Sequence, residues 1–192
     1  RAAIAVTPTI SSDISGDDLH LFNEGTHYRL YEKLGAHVLP SGSVAFSVWA
    51  PNAEYVSVIG DFNDWDRGRH PLRMIGNSGI WHGTISEARE GSTYKYHVAS
   101  RHNGYRSDRA DPFGTRHQLA PDTASMVHRI DYHWSDESWM KGRGARQTLD
   151  KPMSVYEVHL GSWMRVPEEK DRWLTYRELA PKLAQIPGVR AF

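Results

Sequence analysis

The chain has 192 residues, of which 39% are apolar and 24% charged, a balance that allows one full domain and part of a second. Its 23 Lys and Arg cancel its 23 Asp and Glu, so there is no basic stripe for a general nucleic-acid binder. No apolar run reaches the ~18 residues a membrane span needs, and neither nucleic acid nor membrane is expected as a partner. The absence of cysteine excludes disulfides and thiolate metal sites and fits a reducing cytoplasm.

The opening Arg1-Ala-Ala-Ile-Ala-Val-Thr-Pro lacks an initiating Met and is too short in apolar residues for a secretory signal, which suggests a piece of something longer. Residues 1–18 are small and polar and predict a loose lead. Leu19 to Leu34 predicts a short turn or helix, and from Gly35 the pattern changes to strands. Val44, Phe46 and Val48 alternate with Ala45, Ser47 and Trp49, the period-2 signature of a strand. Further strands are predicted over 55–59, 80–85 (after the Gly76-Asn-Ser-Gly79 turn), 93–98 and 125–128. Asn103-Gly104 predicts a hairpin turn, because both residues tolerate positive φ. Short strands with regular turn signals point to an antiparallel immunoglobulin-like β-sandwich over residues 19–133.

Residues 134–151 form a charged connector with a helical turn around Ser138. Pro152 to Leu160 is apolar on both faces, as in a parallel strand covered on both sides. Thr175 and Glu178 fit a capping box, with Tyr176, Leu179 and Leu183 on one helical face and Pro181 threatening a kink or early end. Strand followed by helix over 152–192 predicts the first βα unit of a larger α/β domain. The fold class is therefore mainly β.

Seven Trp and nine Tyr stand out in so polar a chain. The densest local motif is Gly60-Asp-Phe-Asn-Asp-Trp-Asp66. A turn alone would explain it, since Asp and Asn bond their own backbone and Gly bends freely. The alternative is a sugar platform in which the C–H face of a pyranose packs on the Trp65 ring while polar neighbours take its hydroxyls. Trp81, Lys95 and Tyr105 fall on nearby strands or turns that would complete such a surface, although core packing competes for Trp81. Asp61, Asp64 and Asp66 crowd one turn, whereas a retaining glycosidase pair needs carboxyls ~5–5.5 Å apart, usually from separate elements. Capping is the better reading of these acids. The eleven His show no metal-ligand spacing, and no metal or cofactor is expected.

Val56-Ser-Val-Ile-Gly-Asp-Phe-Asn-Asp-Trp65, Tyr94-Lys-Tyr-His-Val98 and Ala110-Asp-Pro-Phe113 resemble the family-48 carbohydrate-binding module. Leu21 to His37, Ser154-Val-Tyr-Glu-Val-His-Leu-Gly-Ser-Trp163 and Leu174 to Ala180 resemble bacterial α-1,4-glucan branching enzymes, and the match runs from about Asp18 to Gln185. The resemblance implies a parent that cleaves an α-1,4 bond and transfers the chain to a 6-hydroxyl. It also implies that residues 152–192 are the first βα unit of an incomplete (β/α)8 barrel whose catalytic Asp, Glu and Asp would lie on later strands, so this chain has no expected catalytic residue and should be inactive alone. Its partners would be α-1,4-glucan (glycogen, amylose, amylopectin) and the remainder of the barrel. By position, Trp65, Trp81, Lys95 and Tyr105 correspond to ring-stacking and hydroxyl-binding places of the module, with Ser125 a further candidate. Tyr156 and His159 would line the barrel cleft or pack within it. A sandwich that only orients the barrel, or the equivalent module of a trehalose-forming or debranching enzyme, are the alternatives.

Overall fold

The computed structural model describes residues 13–152 and 155–186, which fall into two compact units divided between Tyr132 and His133. In the first unit, helix α1 (Gly16–Glu24) precedes nine strands: β1 (Gly35–Val38), β2 (Val44–Trp49), β3 (Ala53–Gly60), β4 (Arg73–Met74), β5 (Ile80–Ile85), β6 (Thr93–Ser100), β7 (Arg106–Arg109), β8 (Arg116–His117) and β9 (Ser125–Met126). One sheet runs β1-β2-β5-β4. The other runs β3-β6-β9-β8, with β7 also on β6. Every pairing in both sheets is antiparallel. This is the expected sandwich.

Alternation builds its core. Val44, Phe46 and Val48 of β2 and Val56 and Val58 of β3 are buried, together with Tyr94 and Tyr96 of β6. These residues share one hydrophobic cluster, and each large side chain taken fully out of water contributes roughly 1.5–3 kcal/mol. Phe46 and Tyr94 meet edge to face with centroids 5.0 Å apart, the geometry the ring quadrupoles prefer. Phe46 sits opposite Gly83. A Cβ there would lie 2.8 Å from Leu72 Cδ2, so the missing side chain makes room for Leu72 to fill the layer.

Asp111 ties the core together at one point. Although buried, it accepts from Tyr94 Oη at 2.6 Å and Tyr96 Oη at 3.3 Å through Oδ2, and from the Phe113 N–H at 2.8 Å through Oδ1. Burial pushes its pKa up, opposed by those same hydrogen bonds. The Ala110-Asp-Pro-Phe113 motif thus fastens the two tyrosine rings to its own backbone.

One expectation about a boundary changes. The lead does not stay loose to residue 18: Ser15 caps α1, its hydroxyl accepting from Asp18 N–H while the Asp18 carboxylate accepts from Ser15 N–H. That reciprocal pair satisfies two otherwise orphan donors and starts the helix at Gly16. Residues 1–12 lie outside the described residues. The Asn103-Gly104 turn forms as expected, with φ of 56° and 62°, and joins β6 to β7.

The second unit holds α2 (Glu137–Arg146), α3 (Leu160–Trp163), a two-residue hairpin of β10 (Arg165–Val166) and β11 (Arg172–Trp173), and α4 (Tyr176–Ala184). Thr175 and Glu178 form the capping box the sequence announces, and Leu179 is buried. Helix α4 ends three residues beyond Pro181. Arg172 braces the cap through two 2.9 Å bonds to the Glu178 carboxylate and one of 2.6 Å to Glu169.

The predicted barrel strand does not form over its described part. Residues 155–159 belong to no strand among the described residues, with Val155 and Tyr156 exposed, and Leu160 already belongs to α3. A parallel strand needs ladder partners on its edges and helices on its faces, and residues 155–159 have no ladder partner among the described residues. Met153 and Ser154 lie outside the described residues. His159 Nδ1 pairs with Ser162 Oγ at 2.7 Å, and Tyr156 Oη accepts from Trp163 Nε1 at 3.2 Å.

Candidate functional site

The Gly60–Asp66 turn is pinned from three sides. Gly60 N–H donates to Asn63 Oδ1 at 2.9 Å, and Asn63 Nδ2 donates to Val58 O at 2.9 Å and bonds His70 Nδ1 at 2.8 Å. With its oxygen facing a donor and its nitrogen a carbonyl, the buried amide has one workable orientation. That orientation requires His70 Nδ1 to be the acceptor. Asp61 Oδ2 accepts from the Thr93 N–H and hydroxyl at 2.9 and 3.0 Å, stitching the turn to β6, and Asp66 Oδ1 accepts from Gly68 N–H at 2.8 Å. Asp66 caps locally, as expected, while Asp61 ties the turn to the neighbouring strand instead. A Cβ on Gly60 would stand 2.3 Å from Thr93 O, which leaves glycine as the only residue that fits.

Asp64 and Trp65 then take φ of 56° and 60°, left-handed conformations uncommon for non-glycine residues that persist only where the surroundings fix them. Trp65 N–H bonds back to Gly60 O at 3.0 Å. Its side chain remains 40% exposed, so a flat ring is available to solvent on a braced turn.

Lys95 lies opposite Ile59 and next to the Gly60–Tyr94 pair. Trp65 and Lys95 therefore share one end of the five-stranded sheet. Because Tyr94 and Tyr96 point into the core, Lys95 points to the outer face, where its Nζ donates to Thr123 Oγ1 at 2.7 Å. Tyr105 is exposed but belongs to the hairpin at the far end, its backbone oxygen accepting from Ser100 N–H. Hydrogen bonds with Ser107 and Arg109 pull its phenol below its ordinary pKa. Arg109 pairs with Tyr96, which assigns it to the opposite face of β6 from Lys95. The structure joins Trp65 with Lys95 and sets Tyr105 apart.

Two expected site residues are corrected. Trp81 is opposite Val48 in the β2–β5 ladder, so it shares the core face; it is 7% exposed and its Nε1 donates to Ala50 O at 3.0 Å. Ser125 is fully buried, its Oγ accepting from Asp111 N–H at 2.8 Å. Neither can touch a ligand on the surface. Both serve the scaffold.

A cluster the sequence did not reveal occupies the same outer face. Arg67 directs its guanidinium to Asp108 (Nη2–Oδ2 2.8 Å), and Asp108 Oδ1 meets His97 Nδ1 at 2.6 Å. Partial burial works against the Asp108 charge, but Arg67 and His97 outweigh it and hold the carboxyl below its ordinary pKa. The Arg67 carbonyl accepts from Tyr55 Oη at 2.9 Å and Ser57 Oγ at 2.6 Å. Tyr55, Arg67, Gly68, His97 and Arg106 line an open depression of about 470 Å³. The one available signal was period-2 alternation along β3 and β6, which puts Tyr55, Ser57, Lys95 and His97 on one face; the partners from β7 and the turn could come only from tertiary pairing. Among the described residues no group of three or more His, Asp or Glu could hold a metal, and no helix is long and apolar enough to cross a membrane.

Residues 33–114 match carbohydrate-binding module 48, the isoamylase N-terminal domain. The chain is 49% identical over 172 residues to the 1,4-alpha-glucan branching enzyme GlgB of Albidiferax ferrireducens, covering 88% of this chain and 27% of that protein. It is 47% identical over 174 residues to the 1,4-alpha-glucan branching enzyme GlgB of Aquifex aeolicus, with coverage of 88% and 27%. The chain thus spans about a quarter of the length of the curated relatives it matches. Among solved structures, PulA from Klebsiella oxytoca aligns over 52% of this chain and 10% of that chain, at 26% identity and a TM-score of 0.44, a likeness too partial to carry an argument.

Proposed function

We propose, from the premise that this chain belongs to the carbohydrate-binding module 48 family and corresponds to the N-terminal region of GlgB-type 1,4-alpha-glucan branching enzymes, that its sandwich holds α-1,4-glucan on the Trp65–Lys95 end of the five-stranded sheet. The observation that carries this reading is the exposed indole of Trp65 on a turn whose backbone is fixed by Asn63 and Asp61. Ordering a loop normally opposes binding, and a turn already held in place avoids that cost. The ring offers an apolar face to the C–H side of a glucose unit, and the Lys95 ammonium, oriented by Thr123, offers donors to its hydroxyls. Tyr105 would act at a separate contact along the same module, through its own exposed ring.

In the longer protein this reading implies, the bound substrate would be glycogen, amylose or amylopectin in the cytoplasm. The reaction would transfer an α-1,4-linked chain to a 6-hydroxyl, with the catalytic carboxylates on a barrel outside this chain. The sandwich would bring substrate to that barrel and carry no chemistry itself.

Native affinity electrophoresis in gels containing glycogen tests the reading. The chain should be retarded, and Trp65→Ala should weaken the apparent affinity roughly tenfold, the loss expected for removing a central aromatic anchor, while its urea unfolding midpoint stays near that of the unaltered chain. A sandwich that only orients the barrel predicts no retardation and no effect of Trp65→Ala.

A further inference from the structure

We propose that the glucan surface extends beyond Trp65 and Lys95 into a second hexose subsite, the depression formed by Tyr55, Arg67, His97 and Arg106 on the outer face of the five-stranded sheet. This subsite rests on the glucan-binding reading above and adds a consequence of its own, a dependence on chain length.

The two places are continuous by register. Lys95 and His97 are alternate residues of β6 on the side away from the core, about 7 Å apart along the strand. The turn that carries Trp65 starts at Gly60 and folds back along β3 until its Arg67 carbonyl is held by Tyr55 and Ser57. From Gly60 to those two residues β3 covers about 10–17 Å at ~3.3 Å per residue. A saccharide of several hexoses laid along this face from Trp65 would therefore pass over the depression, while a short one would stop before it.

The chemistry of the depression suits a neutral polyol. Its charges are matched in pairs: Arg67 with Asp108 at 2.8 Å, and Arg106 with Glu54 at 3.7 Å. Paired cations leave little net field to attract a phosphate, yet guanidinium and carboxylate groups still offer directed donors and acceptors to hydroxyls. Both guanidiniums are largely exposed, and Arg106 is the more loosely paired of the two. The Tyr55 ring forms a wall. It is steadied at its hydroxyl by the Arg67 carbonyl and from the side by the His97 ring, 6.5 Å away and tilted 62°. An aromatic wall with a few fixed polar groups is the usual composition of a small-ligand site, and here Arg67, Asp108 and His97 hold one another in place while Arg106 stays free to turn to a hydroxyl.

Titration calorimetry with maltotriose and maltoheptaose tests this. The unaltered chain should bind maltoheptaose at least roughly tenfold more tightly than maltotriose. Arg106→Ala, at an exposed residue outside the core, should remove most of that gain and leave maltotriose affinity unchanged; Tyr55→Phe, which keeps the ring, should retain part of it. Trp65→Ala should weaken both ligands. Inorganic phosphate should not compete. An Arg106→Ala chain that keeps the whole gain, an unaltered chain with no gain, or displacement by phosphate would each overturn the second subsite while maltotriose binding still upholds the first. Failure of the unaltered chain to bind either saccharide would sink both.

Discussion

Tyr94→Phe isolates the fastening at Asp111. The Tyr94 hydroxyl donates to Asp111 Oδ2 at 2.6 Å in the interior, whereas the Tyr96 hydroxyl divides itself between Asp111 Oδ2 and Ser47 O, both at 3.3 Å. Deleting the short bond leaves a buried carboxylate oxygen with a single long donor, and a lost hydrogen bond to a charged group costs about 1.5–3 kcal/mol. Tyr96→Phe gives up a shared, stretched bond and should cost about 1 kcal/mol or less. The pH dependence has a definite sign. Burial raises the Asp111 pKa above its unfolded value, so the stability linked to this group is fully present below the unfolded carboxylate pKa and is lost as pH rises through the folded one. The Tyr94 bond offsets that loss by favouring the ionised form; without it the folded pKa climbs further. The penalty of Tyr94→Phe should therefore be small in acid and grow towards neutrality. Urea unfolding of the two variants, followed by Trp fluorescence across that range, measures it. Equal losses for Tyr94→Phe and Tyr96→Phe, or a Tyr94→Phe penalty that does not change with pH, would refute the assignment of Asp111 as a carboxylate held by one dominant phenol.

Trp81→Ala should destabilise the sandwich by about 3–5 kcal/mol, the range for truncating a large buried aromatic, and urea midpoints compared with Trp65→Ala should separate a core indole from an exposed one. In the second unit, Arg172 and the Thr175 cap hold the Glu178 carboxyl well below the usual carboxylate range. A depressed folded pKa contributes stability above the unfolded value that is lost as pH falls through the folded one, so α4 should lose far-ultraviolet helical signal on acidification. Glu178→Gln should show the weakened helix already at neutral pH, with a flatter acid response; an identical acid profile would mean that the cap does not depend on this charge.

Local rules made much of the molecule legible in the sequence. Alternation over Val44–Val48 marked the core face of β2, Asn103-Gly104 announced its hairpin through tolerance of positive φ, and Thr175 with Glu178 marked the start of α4. In the Gly60–Asp66 turn the local reading held for Asn63 and Asp66, which satisfy backbone donors within a few residues of themselves, whereas Asp61 reaches across to Thr93 on β6, a partner no local window contains. Trp81 was different. With Ile80 and Trp81 both apolar, the local pattern does not say which of them faces inward, and only the pairing of Trp81 with Val48 decides it. Ser125 is a small hydroxyl whose burial depends on Asp111, fourteen residues away in sequence. The apolar run after Pro152 has the composition of a strand, but a parallel strand exists only through its neighbours, and residues 155–159 pair with none among the described residues. The depression beside Tyr55 draws on β3, β6, β7 and the Trp65 turn at once. Periodicity and capping act over a few residues and can be read in one dimension. Register, burial of a particular ring and the meeting of side chains from separate strands depend on pairings that no local window contains, and those were decided by the tertiary structure alone.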